Sequence, residues 1–266
     1  MKPAPFAYKK VRSVDDAVAL LAANGDARLL AGGQSLIAAM KLRLAKPSSV
    51  VDLGSIKGLS GIKADGKAVT IGAMARHAEV ASSSEVKKAI PALAALAGGI
   101  GDRMVRNMGT IGGSLAHNDP VADYPAGVLG LNATVNTNKR KIAADDFFKG
   151  MFETALAAGE IIVSVSFPVP RRAAYVKFKN PASRYAIVGV LAAETSGGAR
   201  IAVTGAASGV FRVAAMEKAL AAKWSPDAVA GISVPADKLN SDLHASAEYR
   251  AHLIMVMARR AVEAAK

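Results

Sequence analysis

Cysteine is absent from the 266 residues. Its absence excludes disulfides, thiolate catalysis, cysteine-type structural zinc and cysteine-ligated iron–sulfur clusters on this chain. Only four histidines occur (His77, His117, His244, His252), and no two stand at HxxxH or HxH spacing. No protein metal site is expected. Aromatic residues are few, at 5%, and the basic residues form no stripe interleaved with them, so nucleic acid is a minor reading. No apolar run approaches the roughly 20 residues of a membrane-spanning helix; the most apolar stretch, AIPALAALAGGIG, falls well short. The opening MKPAPFAYKKVRSVDDAV has no apolar segment leading to a cleavage-like site, so no secretory signal is expected and the chain reads as cytoplasmic.

Acidic residues are in the minority, 21 against 34 basic ones, giving a formal charge of +13. The basic residues are scattered in short groups such as KKV, NKRK and PRR. Scattered charge reads first as a solvated surface, and second as a docking face for an acidic partner or an anionic cofactor. What the chain has in quantity is apolar residues, at 52%. That composition and length suit one large domain, or two to three lobes packed together around a substantial core.

SVDDAVALLAANGD predicts a helix, with Ser13 as cap, two aspartates in the first turn and Gly25 at the end. ARLLAGG predicts a short strand running into a glycine turn, SLIAAMKLRL the helix after it starting near Ser35, and SSVVDLGSI the next strand. This first lobe reads as α/β with parallel strands. From about Gly58 the pattern becomes a hairpin around Asp65-Gly66 and then a helix containing His77. SEVKKAIPALAALAGGIG reads as one amphipathic helix, and PAGVLGLNATVNTN as a helix followed by a strand. EIIVSVSFPVP alternates as a strand, and VPRR marks a boundary near residue 170. Three strands (AAYVKFKN, YAIVGVLAAET, ARIAVTGAAS) and two helices (VAAMEKALA, SAEYRAHLIMVMARRAVEAA) complete the chain.

Two glycine-rich loops carry the chemical signal. In AGGQS, Gly32 and Gly33 allow a tight turn from strand to helix. Unpaired N–H groups at such a turn favour a phosphate, and Gln34 and Ser35 add side-chain donors. In GTIGGS, the amides and hydroxyls of Gly109, Thr110, Gly112, Gly113 and Ser114 suit the other side of the same anion. In the HNDPVADYP that follows, Asp123 is a possible acceptor for a ribose or ribityl hydroxyl. Each loop alone is also an ordinary turn. Together, in two lobes, they suggest a dinucleotide held at its pyrophosphate.

AGGQSLIAAMKLRLAKPSSVVDL, VRNMGTIGGSLAHNDPVADYPA and LHASAEYRAHL resemble the FAD-binding medium subunit of the xanthine dehydrogenase and carbon monoxide dehydrogenase family of molybdenum hydroxylases. The resemblance covers about residues 4 to 266. It implies an α+β fold: a two-lobed FAD-binding domain of the vanillyl-alcohol oxidase-like (PCMH) type, then an α+β C-terminal domain with a three-stranded antiparallel sheet and helices. The expected domains are 1–170 (lobe one about 1–56, lobe two about 57–170) and 171–266. It implies FAD on this chain, 2Fe–2S clusters on a small partner subunit, and molybdopterin on a large one. The assembly would be a dimer of heterotrimers that delivers electrons to an external acceptor. The missing cysteines fit a chain whose iron–sulfur clusters lie on a partner.

By the same resemblance, Ala31, Gly32, Gly33, Gln34, Ser35 and Leu36 form the first pyrophosphate loop, with Gln34 where relatives often carry histidine. Thr110, Ile111, Gly112, Gly113 and Ser114 form the second. Gly101 and Asp123 are further flavin contacts, Ile161 packs against adenine, and Lys177 is a basic flavin neighbour. Tyr185 falls where an aromatic flanks the isoalloxazine. Arg184 stands where relatives commonly carry an acidic residue; it either stabilises reduced anionic flavin or points to solvent or another subunit. His77 reads as packing and His117 as a turn residue near the cofactor. No catalytic acid, base or nucleophile is assigned. The alternatives are a stand-alone FAD-dependent reductase or oxidase of the same fold, for which the substrate-binding arginines and proton donor are not found, and a basic nucleic-acid-binding or scaffold protein, which leaves both glycine loops unexplained.

Overall fold

The computed structural model describes residues 2–266. The chain starts with β1 (Ala7–Lys10), α1 (Val14–Ala23), β2 (Arg28–Leu30), α2 (Leu36–Lys41) and β3 (Ser49–Asp52). The three strands form a parallel sheet in the order β1-β3-β2. Ser13 caps α1 by accepting a hydrogen bond from the Asp16 amide at 3.0 Å. Strand β1 gave no signal in the sequence because all four of its residues are exposed and show no apolar alternation.

The second lobe contains β4 (Ile62–Ala64), β5 (Ala68–Gly72), α3 (His77–Ser82), α4 (Ser84–Ala89), α5 (Pro91–Gly98), α6 (Arg103–Met108), α7 (Ile111–His117), α8 (Tyr124–Gly130), β6 (Thr134–Thr137) and β7 (Lys141–Ala143). The short α9 (Ala144–Phe147), β8 (Phe148–Gly150), β9 (Glu153–Thr154) and then β10 (Ile162–Pro168) complete it. Its main sheet runs β4-β5-β10-β6-β7. The hairpin expected at Asp65-Gly66 is present: the Asp65 carboxylate accepts from the Lys67 and Ala68 amides. The single helix expected over SEVKKAIPALAALAGGIG is instead two. Pro91 has no amide to donate and cannot continue α4, so the chain turns at Ile90 and Pro91 opens α5.

The third part contains β11 (Arg172–Lys179), β12 (Ala186–Thr195), β13 (Gly198–Thr204), β14 (Phe211–Arg212), α10 (Ala214–Ala222) and α11 (Ala247–Ala264). The three expected strands are joined by a fourth of two residues, β14, at the edge of the antiparallel sheet beside β13. The burial of β12 follows its period of two. Leu191 and Ala193 belong to the core of the second lobe, whereas Val188, Val190 and Ala192 face the core under α10 and α11. With both faces covered, β12 is a nearly continuous apolar run. Each fully buried leucine or valine contributes about 1.5–3 kcal/mol, so the second lobe and the C-terminal sheet hold each other in place. A third core joins lobe one to Ile161 and Val163, at the start of β10.

Candidate functional site

The first glycine turn carries the chain from β2 to α2. Gly33 has φ +73°, which glycine adopts without a Cβ penalty. The backbone N–H groups of Gly32, Gly33, Gln34, Ser35 and Leu36 donate to no oxygen among the described residues. Ser35 stands at the N-cap of α2, yet its hydroxyl caps nothing. Gln34 and Ser35 are exposed. This turn therefore presents open amides and a free hydroxyl.

The second glycine stretch, expected to present amides as well, is already helical. Thr110 is the N-cap of α7, and its hydroxyl oxygen accepts from the Gly113 amide at 3.2 Å. The Ile111 and Gly112 amides donate to the Ala75 and Ala73 carbonyls, and the Ser114 amide to the Thr110 carbonyl. The Ile111 and Gly112 amides anchor α7 beside the end of β5, and the Gly113 and Ser114 amides close on Thr110. What α7 offers is hydroxyl hydrogen-bonding, from Thr110 and from Ser114, whose side chain has no partner among the described residues. Ile111, Gly112 and Thr110 are buried, while Gly113 and Ser114 are partly open.

The fold sets these two turns against each other. A Cβ added to Gly32 would lie 2.1 Å from the Met108 carbonyl oxygen, and one added to Gly113 would lie 3.5 Å from the Ala31 Cβ. Behind them, the His77 amide donates to the Gly109 carbonyl at 2.9 Å. The His77 ring is buried beside Tyr124. Burial, with the Arg106 charge second, pushes its pKa from 6.5 down to about 4. It is neutral at physiological pH and acts as packing, as its sequence position suggested.

A second cluster forms where β11 meets the second lobe. Lys177 and Asp123 are a buried ion pair, 3.0 Å apart, with side-chain exposures of 8% and 3%. The Tyr175 hydroxyl donates to the same carboxylate at 2.5 Å. Burial raises the Asp123 pKa, while Lys177 and Tyr175 pull it back down. Removing either member of such a pair strands a buried charge at a cost of about 3–5 kcal/mol. The carboxylate read as an acceptor for a sugar hydroxyl is thus occupied by two protein donors. Lys177 also donates to the Gly99 and Arg184 carbonyls, at 3.0 and 2.9 Å. Arg184, in left-handed backbone geometry (φ +64°), reaches back toward the Gly101 carbonyl at 3.4 Å. Gly101, Asp123, Lys177 and Arg184 are therefore one junction, and Tyr185 stands next to it, 52% exposed. Ile161 lies apart from both clusters, 3% exposed in the core shared with lobe one. His117 ends α7 and packs at a tilt against Phe152, ring centres 5.0 Å apart.

Tyr175, Gly99 and Gly189 were not singled out from the sequence. The spacing of Tyr175 and Lys177, two apart on a strand, puts them on one face and was the available signal. The role of Gly189 follows only from the packing: a Cβ there would stand 2.3 Å from the Tyr175 hydroxyl.

The family profile described as "FAD binding domain in molybdopterin dehydrogenase" matches residues 4–170, and "CO dehydrogenase flavoprotein C-terminal domain" matches 173–265. The chain belongs to the FAD-binding medium subunits of the molybdenum hydroxylases. Among the relatives of this family, the nicotine 6-hydroxylase medium subunit of Paenarthrobacter nicotinovorans is 38% identical over 98% of both chains. The carbon monoxide dehydrogenase medium chain of Afipia carboxidovorans is 38% identical over all of this chain and 98% of that one. Reconstituted CO dehydrogenase from Oligotropha carboxidovorans contains a chain that superposes with a TM-score of 0.90 at 36% identity, covering 99% of this chain and 98% of that one. A chain of quinoline 2-oxidoreductase from Pseudomonas putida 86 gives 0.89 at 30% identity, covering 99% and 97%. This medium subunit is thus an oxidoreductase component with FAD as its cofactor. No helix among the described residues is long and apolar enough to cross a membrane.

Proposed function

We propose that this medium subunit carries electrons from 2Fe–2S clusters on a small partner subunit to an external acceptor, within a complex whose large subunit holds molybdopterin. The observation that carries the cofactor placement is the row of unpaired amides at Gly32 to Leu36, opposite the Thr110 and Ser114 hydroxyls. Such a cradle, made of neutral donors, suits the pyrophosphate of a dinucleotide. Ala31 to Leu36 hold one side of it. Thr110 and Ser114 hold the other, with Ile111 and Gly112 fixing α7 beside the end of β5 and Gly113 closing its cap on Thr110. Gly101 and Tyr185 then flank the flavin ring, and Asp123 and Lys177 form the buried support beneath.

Bound FAD supplies the interchange between one-electron and two-electron transfer. The chain binds and orients it and shapes the charge around it. The exposed Tyr185 and the Arg184 guanidinium sit on the open side of the junction, where electrons enter or leave. The preparation expected is a heterotrimer, doubled in the full assembly, with the excess positive charge serving subunit docking.

The test is an absorption spectrum of the purified chain, with the released ligand identified by chromatography after heating. Flavin bands and released FAD support the site. Rapid reduction of that flavin in the co-expressed complex, on adding the substrate of the large subunit, supports the electron-transfer role. A flavin that stays oxidised while the iron–sulfur clusters are reduced would overturn it.

A further inference from the structure

Lys177 is better placed to organise the site than to bind the cofactor. An ammonium has three N–H donors and no acceptor. Here the three are matched by three protein partners: the Asp123 carboxylate, the Gly99 carbonyl and the Arg184 carbonyl. Those partners come from three segments: the N-terminus of α8, the end of α5, and the β11–β12 turn that carries Tyr185. Elsewhere the turn bonds within itself and, through the Asn180 side-chain amide, to the His244 ring at 3.4 Å. The Asn180 side-chain oxygen accepts from the Ala182 and Ser183 amides, and the Asn180 and Arg184 backbones bond within the turn. The remaining bond from this turn to the second lobe is the long one from the Arg184 guanidinium to the Gly101 carbonyl.

We propose that Lys177 is a positioning residue: its ammonium ties the Tyr185 turn to the Gly99–Gly101 segment and to α8, fixing the two sides between which the flavin ring lies. It makes no direct bond to the cofactor, because its donors are spent on protein oxygens. The inference rests on the FAD reading given above. It assigns to Lys177 an effect on the cofactor that passes through Tyr185, and this separates it from a direct flavin contact. A side-chain exposure of only 8% keeps the ammonium out of competition with water.

The experiment uses the full chain and a double-mutant cycle between Lys177→Met and Tyr185→Ala, read by FAD affinity and by the visible circular dichroism of bound flavin. Each single variant is expected to weaken FAD binding about tenfold and to change the flavin dichroism. The double variant is expected to be no worse than Y185A. Additive losses would show that Lys177 acts independently of Tyr185 and would overturn the proposal. Because K177M leaves Asp123 without its partner, K177M/D123N is run beside it, removing both charges. In that variant, amide hydrogen exchange across residues 180–185 without FAD is expected to speed up at least tenfold. Unchanged exchange would also overturn the proposal. A wild-type chain that takes up no FAD would fail the cofactor reading itself; a wild type that binds FAD alongside an unaltered K177M would fail only this inference.

Discussion

Gly32 rests directly on the backbone of Met108. A Cβ on Gly32 would stand 2.1 Å from the Met108 carbonyl oxygen and 2.8 Å from the Gly109 Cα. Neither is a flexible side chain that can swing away. Gly32→Ala must therefore push the first turn off the second. Overpacking of this kind costs about 1–3 kcal/mol, and the cradle loses its shape. FAD titration of G32A is expected to show at least a tenfold weaker affinity, along with a lower melting temperature; an affinity equal to wild type would refute the two-turn cradle.

Ser35 and Ser114 make a complementary pair of substitutions. Neither side chain has a hydrogen-bond partner among the described residues. Hydrogen bonds to charged groups are worth about 1.5–3 kcal/mol. Ser35→Ala and Ser114→Ala should each raise the FAD dissociation constant about tenfold or more, while the melting temperature without FAD stays within about a degree or two. Loss of stability without loss of affinity would assign these hydroxyls to the fold instead.

Gly189 gives the Tyr175 ring room to reach Asp123. Gly189→Ala would place a methyl 2.3 Å from the Tyr175 hydroxyl and 3.0 Å from the Thr204 methyl carbon. The tyrosine must move, and its bond to Asp123 is lost. Chemical denaturation of G189A should show a loss of about 1–3 kcal/mol. Combined with Tyr175→Phe, the loss should be less than additive, since both changes remove the same bond.

His77 predicts a pH dependence of stability. Its pKa is about 4 in the folded chain against 6.5 for the free side chain, lowered chiefly by burial. The unfolded chain takes up the proton first. The contribution of His77 is therefore complete above about pH 6.5 and declines as pH falls toward 4, with a slope of up to about 1.4 kcal/mol per pH unit. Stability measured across that interval should fall in the wild type and fall less steeply in His77→Leu. Identical slopes would mean that the ring is protonated in place without penalty.

Much of the fold was legible because its signals are local. Ser13 and Thr110 cap helices through bonds to residues three positions on, and the Asp65 turn closes on its own neighbours. The alternation of VSVSF and the double-sided burial of β12 are written in a period of two. Strand β1 left no trace, since all four of its residues are exposed and show no apolar alternation. The break at Pro91 was written in the sequence and passed over, because the apolar spacing on both sides fits one continuous helix.

The candidate site divides in the same way. The two glycine stretches stood out as costly backbone, and their residues are the ones the fold brings face to face. Which amides remain open was not legible. Gly112 and Ile111 donate to Ala73 and Ala75, nearly forty residues earlier, and the equivalent amides of the first turn find no acceptor. Asp123 and Lys177, fifty-four positions apart, likewise have their charges matched by packing alone.

The sequence by itself determined most of the helices, strands and turns, the absence of thiol chemistry, and the membership of the family through its two glycine motifs. These depend on residue type and on bonds reached within a few positions. Only the tertiary structure decided which polar groups are spent and which are free. A donor is available to a ligand when no oxygen from another segment reaches it, and that depends on how distant segments pack.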